Sequence, residues 1–318
     1  MLPDGLLEAW GIAAGARIAA FGDAPVYRVD APRGTFVAKD LGPAIDPSRL
    51  AFIESVTTHL NANGIPAQAP LRTTDGSLFV EREGKNYVLS TFIDGSSIPG
   101  PVDGPTDVMT DVGRQIGRMH RVLAAYPTND LGTQTWYQDV KKDLPIWLAA
   151  VRPKLDGEDL ATYDRFERDV LPTAVERLSG LPEQLIHRDC HAGNIVRISD
   201  GSFAFIDCDH FCVAPRIFEL GYFASGIMSY FADPDALTRW FGGVRALLAG
   251  YDDTATLAER EREAFPYAVM SVFAMMAWWF DLTGELEWAL SDVRALAGAM
   301  DNLAEITRAA CGPSRTRP

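Results

Sequence analysis

Apolar positions change their period about a third of the way along the chain. In the first part they alternate over short spans. Residues 24–30 and 35–39 read as two β-prone runs joined by Ala31-Pro32-Arg33-Gly34, a hairpin-like pair. A helix is predicted over 47–63, where Leu50, Ile53, Val56 and Leu60 recur at helical spacing and Gly64 and Pro66 stop it. Two more strands are predicted at 77–82 and 86–92, around Gly84. Residues 93–100, rich in Gly, Ser and Pro, read as a linker. Beyond it the period becomes helical, with helices expected at 106–123, 136–151 and 157–178. Gly113 and Gly117 leave one side of the first helix thin enough for close packing. One interruption stands out: 195–198 and 202–208 read as a hairpin set inside the helical part. The pattern therefore predicts an α+β protein. A small antiparallel sheet with one helix occupies residues 1–93, and a larger, mainly helical domain occupies 94–318.

Composition narrows the class. The 318 residues suffice for two cores, and 47% hydrophobic with 23% charged residues is ordinary for a globular chain. A net charge of −14 argues against nucleic-acid and anionic-membrane partners, which need clustered Lys and Arg, and favours a cationic acceptor. No basic segment followed by an apolar run opens the sequence. The most apolar window, 265–280, is broken by Pro266 and Ser271 and reads as a buried helix. Four unpaired-looking cysteines fit a reducing compartment, so the expected location is cytoplasmic. Nothing in the pattern bears on oligomeric state.

The interrupting hairpin carries the chemistry. It is preceded by His187-Arg188-Asp189-Cys190-His191-Ala192-Gly193-Asn194 and ends in Phe205-Ile206-Asp207-Cys208-Asp209. Phosphoryl transfer needs a carboxylate to take the proton of the attacking hydroxyl and hard oxygen ligands for magnesium on the nucleotide. Asp189 is the candidate base; Asn194, five positions on, and Asp207 are the candidate metal ligands. The hairpin is expected to bring these two side by side. Lys39, ending the apolar run Phe36-Val37-Ala38, is the candidate for the nucleotide phosphates, with Glu54 in the following helix as its partner.

In these residues the chain resembles the aminoglycoside phosphotransferase and choline kinase superfamily, small-molecule relatives of protein kinases. The resemblance runs in order from about Ile18 to Phe223. It includes Gly64-Ile65-Pro66, the hinge-like Tyr87 to Gly95, and the loop itself, where the family usually has H-G-D-x-H-x-x-N. It implies a two-lobed protein-kinase-like fold, ATP (with GTP as the alternative) and Mg2+ as cofactors, and a small hydroxylated acceptor. It also implies adenine contacts from the backbone near Thr91 and Ile93. Arg188 departs from the family's Gly, the phosphate-covering segment Phe21-Gly22-Asp23-Ala24-Pro25 has a single glycine, and Glu219-Leu220-Gly221 replaces the usual Asp-Leu-Ala. Glu219 is accordingly expected to anchor the catalytic loop.

Three other readings compete. His187, Cys190, His191, Cys208, His210 and Cys212 crowd one stretch and could serve zinc, though no C-x-x-C pair is present. A non-catalytic pseudokinase has no chemical need of Lys39, Asp189, Asn194 and Asp207 together. A protein Ser/Thr kinase would need a long activation segment after Asp207, where Pro215 already follows closely. The expectation is a phosphotransferase acting on a small, amine-bearing alcohol: an amino sugar, aminocyclitol, amino alcohol or hydroxy amino acid. Asp209 and His210 are the nearest candidates to touch the acceptor, with Trp278, Trp279, Asp281 and Glu285 as candidate wall residues.

Overall fold

The computed structural model describes residues 2–12, 15–21, 25–127, 142–226, 234–275, 277, 280 and 284–311. Gly22, Asp23, Ala24, the first part of the expected 136–151 helix, Trp278, Trp279 and Asp281 lie outside these residues. The chain forms two compact units. One is built from Met1–Ser96, Tyr126, Pro127 and Val196–Asp209, and the other from Ser97–Ala125, residues 142–195 and the described residues from His210 onward.

The first unit is an antiparallel sheet of β1 (Arg17–Ala20), β2 (Val26–Ala31), β3 (Gly34–Asp40), β4 (Val80–Arg82) and β5 (Lys85–Thr91), in the order β1-β2-β3-β5-β4. The predicted hairpin is β2–β3, closed at Ala31 and Gly34. One sheet face packs Val29, Ala38 and Leu89 against Leu6 and Trp10 of a 3-10 turn, Leu6–Trp10, whose indole Nε1 donates to Leu71 O at 2.9 Å. The other face packs Val88 against Leu50 and Ile53 of α1 (Pro47–Ala62). Asp46 caps α1 by accepting from Ser48 N, and Pro47 occupies its first turn, where a missing N–H costs nothing. Lys39 pairs in register with Val88, so it stands on the α1 face of the sheet.

The same unit holds the chemistry-bearing hairpin, β8 (Ile195–Arg197) and β9 (Phe203–Phe205), which follow the two-residue strand β6 (Ser96–Ser97) and β7 (Glu183–Ile186) in the chain. The segment after Gly64 fixes the end of β9. Phe205 N donates to Pro66 O, Gln68 N donates to Phe205 O, and Asp207 N donates to Gln68 Oε1 at 3.2 Å. The Gly64-Ile65-Pro66 turn thus places Asp207.

The second unit is helical: α2 (Thr106–Ala124), α3 (Leu144–Val151), α4 (Gly157–Arg165), α5 (Leu171–Ser179), α6 (Arg216–Ser225), α7 (Pro234–Asp252), α8 (Glu259–Met275), α9 (Leu286–Asp301) and α10 (Leu303–Cys311). The helix predicted over 157–178 is in fact α4 and α5 joined by a π turn, Phe166–Val170. Pro172 sits at the join and has no N–H to continue the regular ladder. The thin side of α2 meets α7: a Cβ on Gly113 would lie 2.0 Å from Leu247 O, and one on Gly250 would lie 1.9 Å from Thr110 O. Only glycine permits this approach, and it brings His120 of α2 to Tyr251 of α7. α8 is buried along most of its length, as the apolar window requires, and among the described residues no helix is long and apolar enough to cross a membrane. A short ladder, β7 with β10 (Cys212–Pro215), pairs Ile186 with Cys212 and fixes where the His187–Asn194 loop departs.

Candidate active site

In the second unit the loop after β7 is built around one buried acid. Glu219, in α6 and fully buried, accepts from Arg188 N at 2.5 Å through Oε1 and from His187 N at 3.0 Å through Oε2. Oε2 also meets His120 Nε2 at 2.6 Å, and His120 Nδ1 meets Tyr251 OH at 2.8 Å. A buried carboxylate left without partners would be costly, and here both oxygens are satisfied. The expectation that Glu219 anchors the loop matches this geometry. Tyr251 and His120 went unnoticed in the sequence, since only the α2–α7 contact brings them there.

The anchored loop presents Asp189. Its Oδ1 accepts from Tyr222 OH at 2.7 Å, and its Oδ2 accepts from Asn194 Nδ2 at 2.8 Å. Asn194 Nδ2 also donates to Asp189 O, so the Asn194 amide oxygen is the end of that side chain left for another partner. Burial, and then the Asp189 charge, hold the Tyr222 phenol well above its usual range, so it remains a donor. His191 caps the turn beyond by accepting from Gly193 N at 3.0 Å, and its Nε2 stands 4.0 Å from Asp189 Oδ2. The backbone at Arg188 is left-handed, with φ +72°. That explains a glycine preference at this position, which this chain does not follow.

In the first unit the central group is Lys39. Its Nζ donates to Asp207 Oδ1 at 2.5 Å and to Asp209 Oδ2 at 2.7 Å. Burial alone would lower the lysine pKa, but the charges of Asp209 and Asp207 prevail and raise it. Asp207 adopts φ +56°, tolerated by an aspartate better than by most residues. Asp209 lies in the turn Cys208–His210, and its carbonyl accepts from Arg49 Nη2 of α1 at 2.7 Å.

The expected Lys39–Glu54 pair does not form. Glu54 instead takes a bidentate bond from Arg72, with Nε–Oε1 at 2.7 Å and Nη2–Oε2 at 2.5 Å. The reason is helical phase. Arg49 is the α1 residue that reaches the Asp209 turn, and Glu54, five residues on, points about 140° round the helix from it. Asp209 likewise differs from expectation: it is bound to Lys39 beside Asp207 rather than standing clear for an acceptor.

Thr91 ends β5. Its N–H donates to Ala69 O at 2.9 Å, and its carbonyl accepts from Gln68 Nε2 at 3.1 Å, leaving one lone pair. Ile93 follows outside the ladder. As for zinc, no three His, Cys, Asp or Glu side chains among the described residues are grouped to hold a metal ion. Cys208 is buried, and burial followed by the Asp209 charge pushes its thiol pKa up, away from thiolate.

Residues 16–265 match the phosphotransferase enzyme family. The chain belongs to that family. Its sequence relatives include a homoserine kinase from Hyphomonas neptunium, 24% identical over 285 residues that cover 85% of this chain and 80% of the relative. Another, from Acidiphilium cryptum, is 27% identical and covers 76% and 72%. Among solved structures, a microcompartment-associated aminopropanol kinase superposes with a TM-score of 0.74 at 17% identity, covering 95% of this phosphotransferase and 96% of that chain. An amicoumacin kinase in complex with AMP-PNP and Ca2+ superposes with a TM-score of 0.66 at 18% identity, covering 90% and 88%. The shared fold is the two-part, protein-kinase-like one that the sequence implied.

Proposed function

We propose that this phosphotransferase moves the γ-phosphate of ATP to a hydroxyl of a small amine-bearing molecule, a hydroxy amino acid or an amino alcohol, with magnesium as the divalent ion. The observation that carries the reading is the Asp189 carboxylate. It is held from two sides by Tyr222 and Asn194 on a loop braced by Glu219, with lone pairs left for an acceptor proton. In the proposed reaction Asp189 aligns the hydroxyl and accepts its proton as the oxygen attacks phosphorus. Lys39 supports the nucleotide phosphates, and backbone groups of Thr91 and Ile93 meet the adenine.

The donor set suits magnesium. Asp207 offers a carboxylate and Asn194 an amide oxygen, both hard ligands, and the pairing of Asp207 and Asp209 with the Lys39 ammonium marks this carboxylate pair as one that takes a cationic partner. When bound, the ion would neutralise charge developing on the phosphates. Asp209 is assigned here to the phosphate side rather than to the acceptor, because its carboxylate shares Lys39 with Asp207. Homoserine kinases among the relatives and an aminopropanol kinase among the structural neighbours support an acceptor with a hydroxyl close to an amine. The net charge of −14 favours the same class.

The test is magnesium-dependent ADP release from ATP across amino alcohols, hydroxy amino acids and amino sugars, with Asp189→Asn as control. Turnover with one acceptor class that disappears in the variant is the expected result. Turnover that survives the substitution would remove Asp189 from its role, and absence of Mg-ATP binding would end the kinase reading.

A further inference from the structure

Arg188 immediately precedes the proposed base, and its side chain is an anomaly. The residue is 7% exposed, so its positive charge is largely withdrawn from water. Its Nε is enclosed and meets no hydrogen-bond partner. No described carboxylate forms an ion pair with the guanidinium; its one contact of note is with the Tyr222 ring, whose centroid lies 5.6 Å from Cζ. The two acids of the network have other partners. Glu219 holds two loop amides and His120, and Asp189 holds Tyr222 and Asn194. The backbone under this side chain is left-handed, a conformation that suits glycine and strains a long side chain such as arginine. The chain thus carries a largely buried guanidinium on strained backbone, with no ion-pair partner among the described residues, one tyrosine ring away from the oxygen that would receive the acceptor's proton.

We propose that Arg188 binds a carboxylate of the acceptor, which makes the substrate a hydroxy amino acid rather than an amino alcohol. This inference rests on the kinase reading above for the position of the acceptor hydroxyl at Asp189. The planar fork of a guanidinium matches a carboxylate in a bidentate geometry, and partial desolvation strengthens the pair. Tyr222 serves both ends: its hydroxyl holds the base and its ring face steadies the cation. A molecule carrying a hydroxyl and a carboxylate a few bonds apart would engage Asp189 and Arg188 together. The same molecule without the carboxylate would leave the guanidinium unneutralised.

Two matched pairs isolate that one group: L-homoserine against 3-aminopropan-1-ol, and L-threonine against 1-aminopropan-2-ol. Binding of all four to the full chain with Mg-AMP-PNP is measured by calorimetry for the wild type, Arg188→Gly and Arg188→Lys. Glycine suits the left-handed backbone, so that variant folds without added strain, and lysine retains the charge without the fork. The expected result is a preference of roughly 10- to 100-fold for the acid in at least one pair, erased by Arg188→Gly and partly kept by Arg188→Lys. A preference for the amine in both pairs, an acid preference that survives Arg188→Gly, or binding of neither member of either pair would overturn the proposal. So would a loss of AMP-PNP affinity in Arg188→Gly with the acid-over-amine ratio intact, which would assign the guanidinium to the nucleotide phosphates. Because the ratio is read without turnover, an Arg188-dependent acid preference in a protein that releases no ADP would uphold the carboxylate site while ending the kinase reading.

Discussion

The Lys39 group of the first unit and the Asp189 loop of the second solve the problem of holding charge in opposite ways. Around Lys39 the bonds are ionic, and they run between side chains. One largely buried ammonium serves two carboxylates whose side chains are about two-fifths exposed. Such pairs can take other partners, since a carboxylate also attracts other cations and an ammonium other anions. Around Asp189 the bonds run from backbone amides to a fully buried acid, and from a phenol and an amide to the proposed base. In that network each carboxylate oxygen is held by a donor from the chain itself, which fixes one geometry. The contrast suits a reaction in which metal and nucleotide come and go while the proton acceptor stays in place.

The largest expected effect tests the rigid half. Asp189→Asn retains an oxygen for the Tyr222 hydroxyl and loses the proton acceptor, so turnover should fall roughly 10²- to 10⁴-fold. The melting temperature and Mg-ATP affinity should stay near wild type. A drop in melting temperature of the same order as a core mutation would mean that Asp189 is structural. A smaller effect tests the exchangeable half. Lys39→Met leaves Asp207 and Asp209 facing each other without a counter-charge and removes the proposed phosphate contact. Roughly 10- to 100-fold should be lost in kcat/KM for ATP, with KM for the acceptor unmoved. Equal losses in both KM values would blur the comparison.

Glu219→Gln perturbs the brace itself. A glutamine has one carbonyl oxygen for two backbone amides, so one of His187 N and Arg188 N loses its acceptor. The cost should be about 1.5–3 kcal/mol, seen as a lowered melting temperature with faster amide exchange confined to the loop. Turnover should fall by less than in Lys39→Met. Unchanged exchange at these two amides would show that the β7–β10 ladder alone sets the loop.

How much of this was legible in the sequence depends on the range of each contact. Asp189, Asn194, Asp207 and Lys39 could be singled out because their chemistry lies at fixed offsets along short, patterned segments. The Tyr222–Asp189 and Tyr251–His120–Glu219 contacts could not, because each depends on helices meeting in space; only the thin side of α2, at Gly113, hinted at such a meeting. The Glu54 pairing failed for a similar reason. Periodicity gives the buried face of α1 but does not say which neighbouring side chain a half-buried acid will find, and Arg72 lies in a loop with no period. Strand β1 was missed because all four of its residues are exposed, so nothing alternates; only the ladder to β2 reveals it.

Asp292 offers the sharpest foil to Glu219, and the smallest expected effect on turnover. It is fully buried in α9, and neither of its carboxylate oxygens has a hydrogen-bond partner. Burial alone pushes its pKa up to about 8, where Glu219 is instead surrounded by donors. The sign of the consequence follows from proton counting. Between the ordinary carboxylate range and pH 8 the unfolded chain has released this proton while the folded chain keeps it, so folding becomes less favourable as pH rises. The loss is at most about 1.4 kcal/mol for each pH unit and levels off above pH 8, where both states are ionised. Asp292→Asn has nearly the same shape and no charge to bury, so its advantage over wild type in melting temperature should be small at pH 5 and grow steadily towards pH 8. Turnover at a fixed pH should change little, since nothing assigned to the chemistry touches this side chain. If instead the variant loses stability equally at both pH values, the carboxylate is held ionised by a partner, and the two buried acids of this unit would be alike after all.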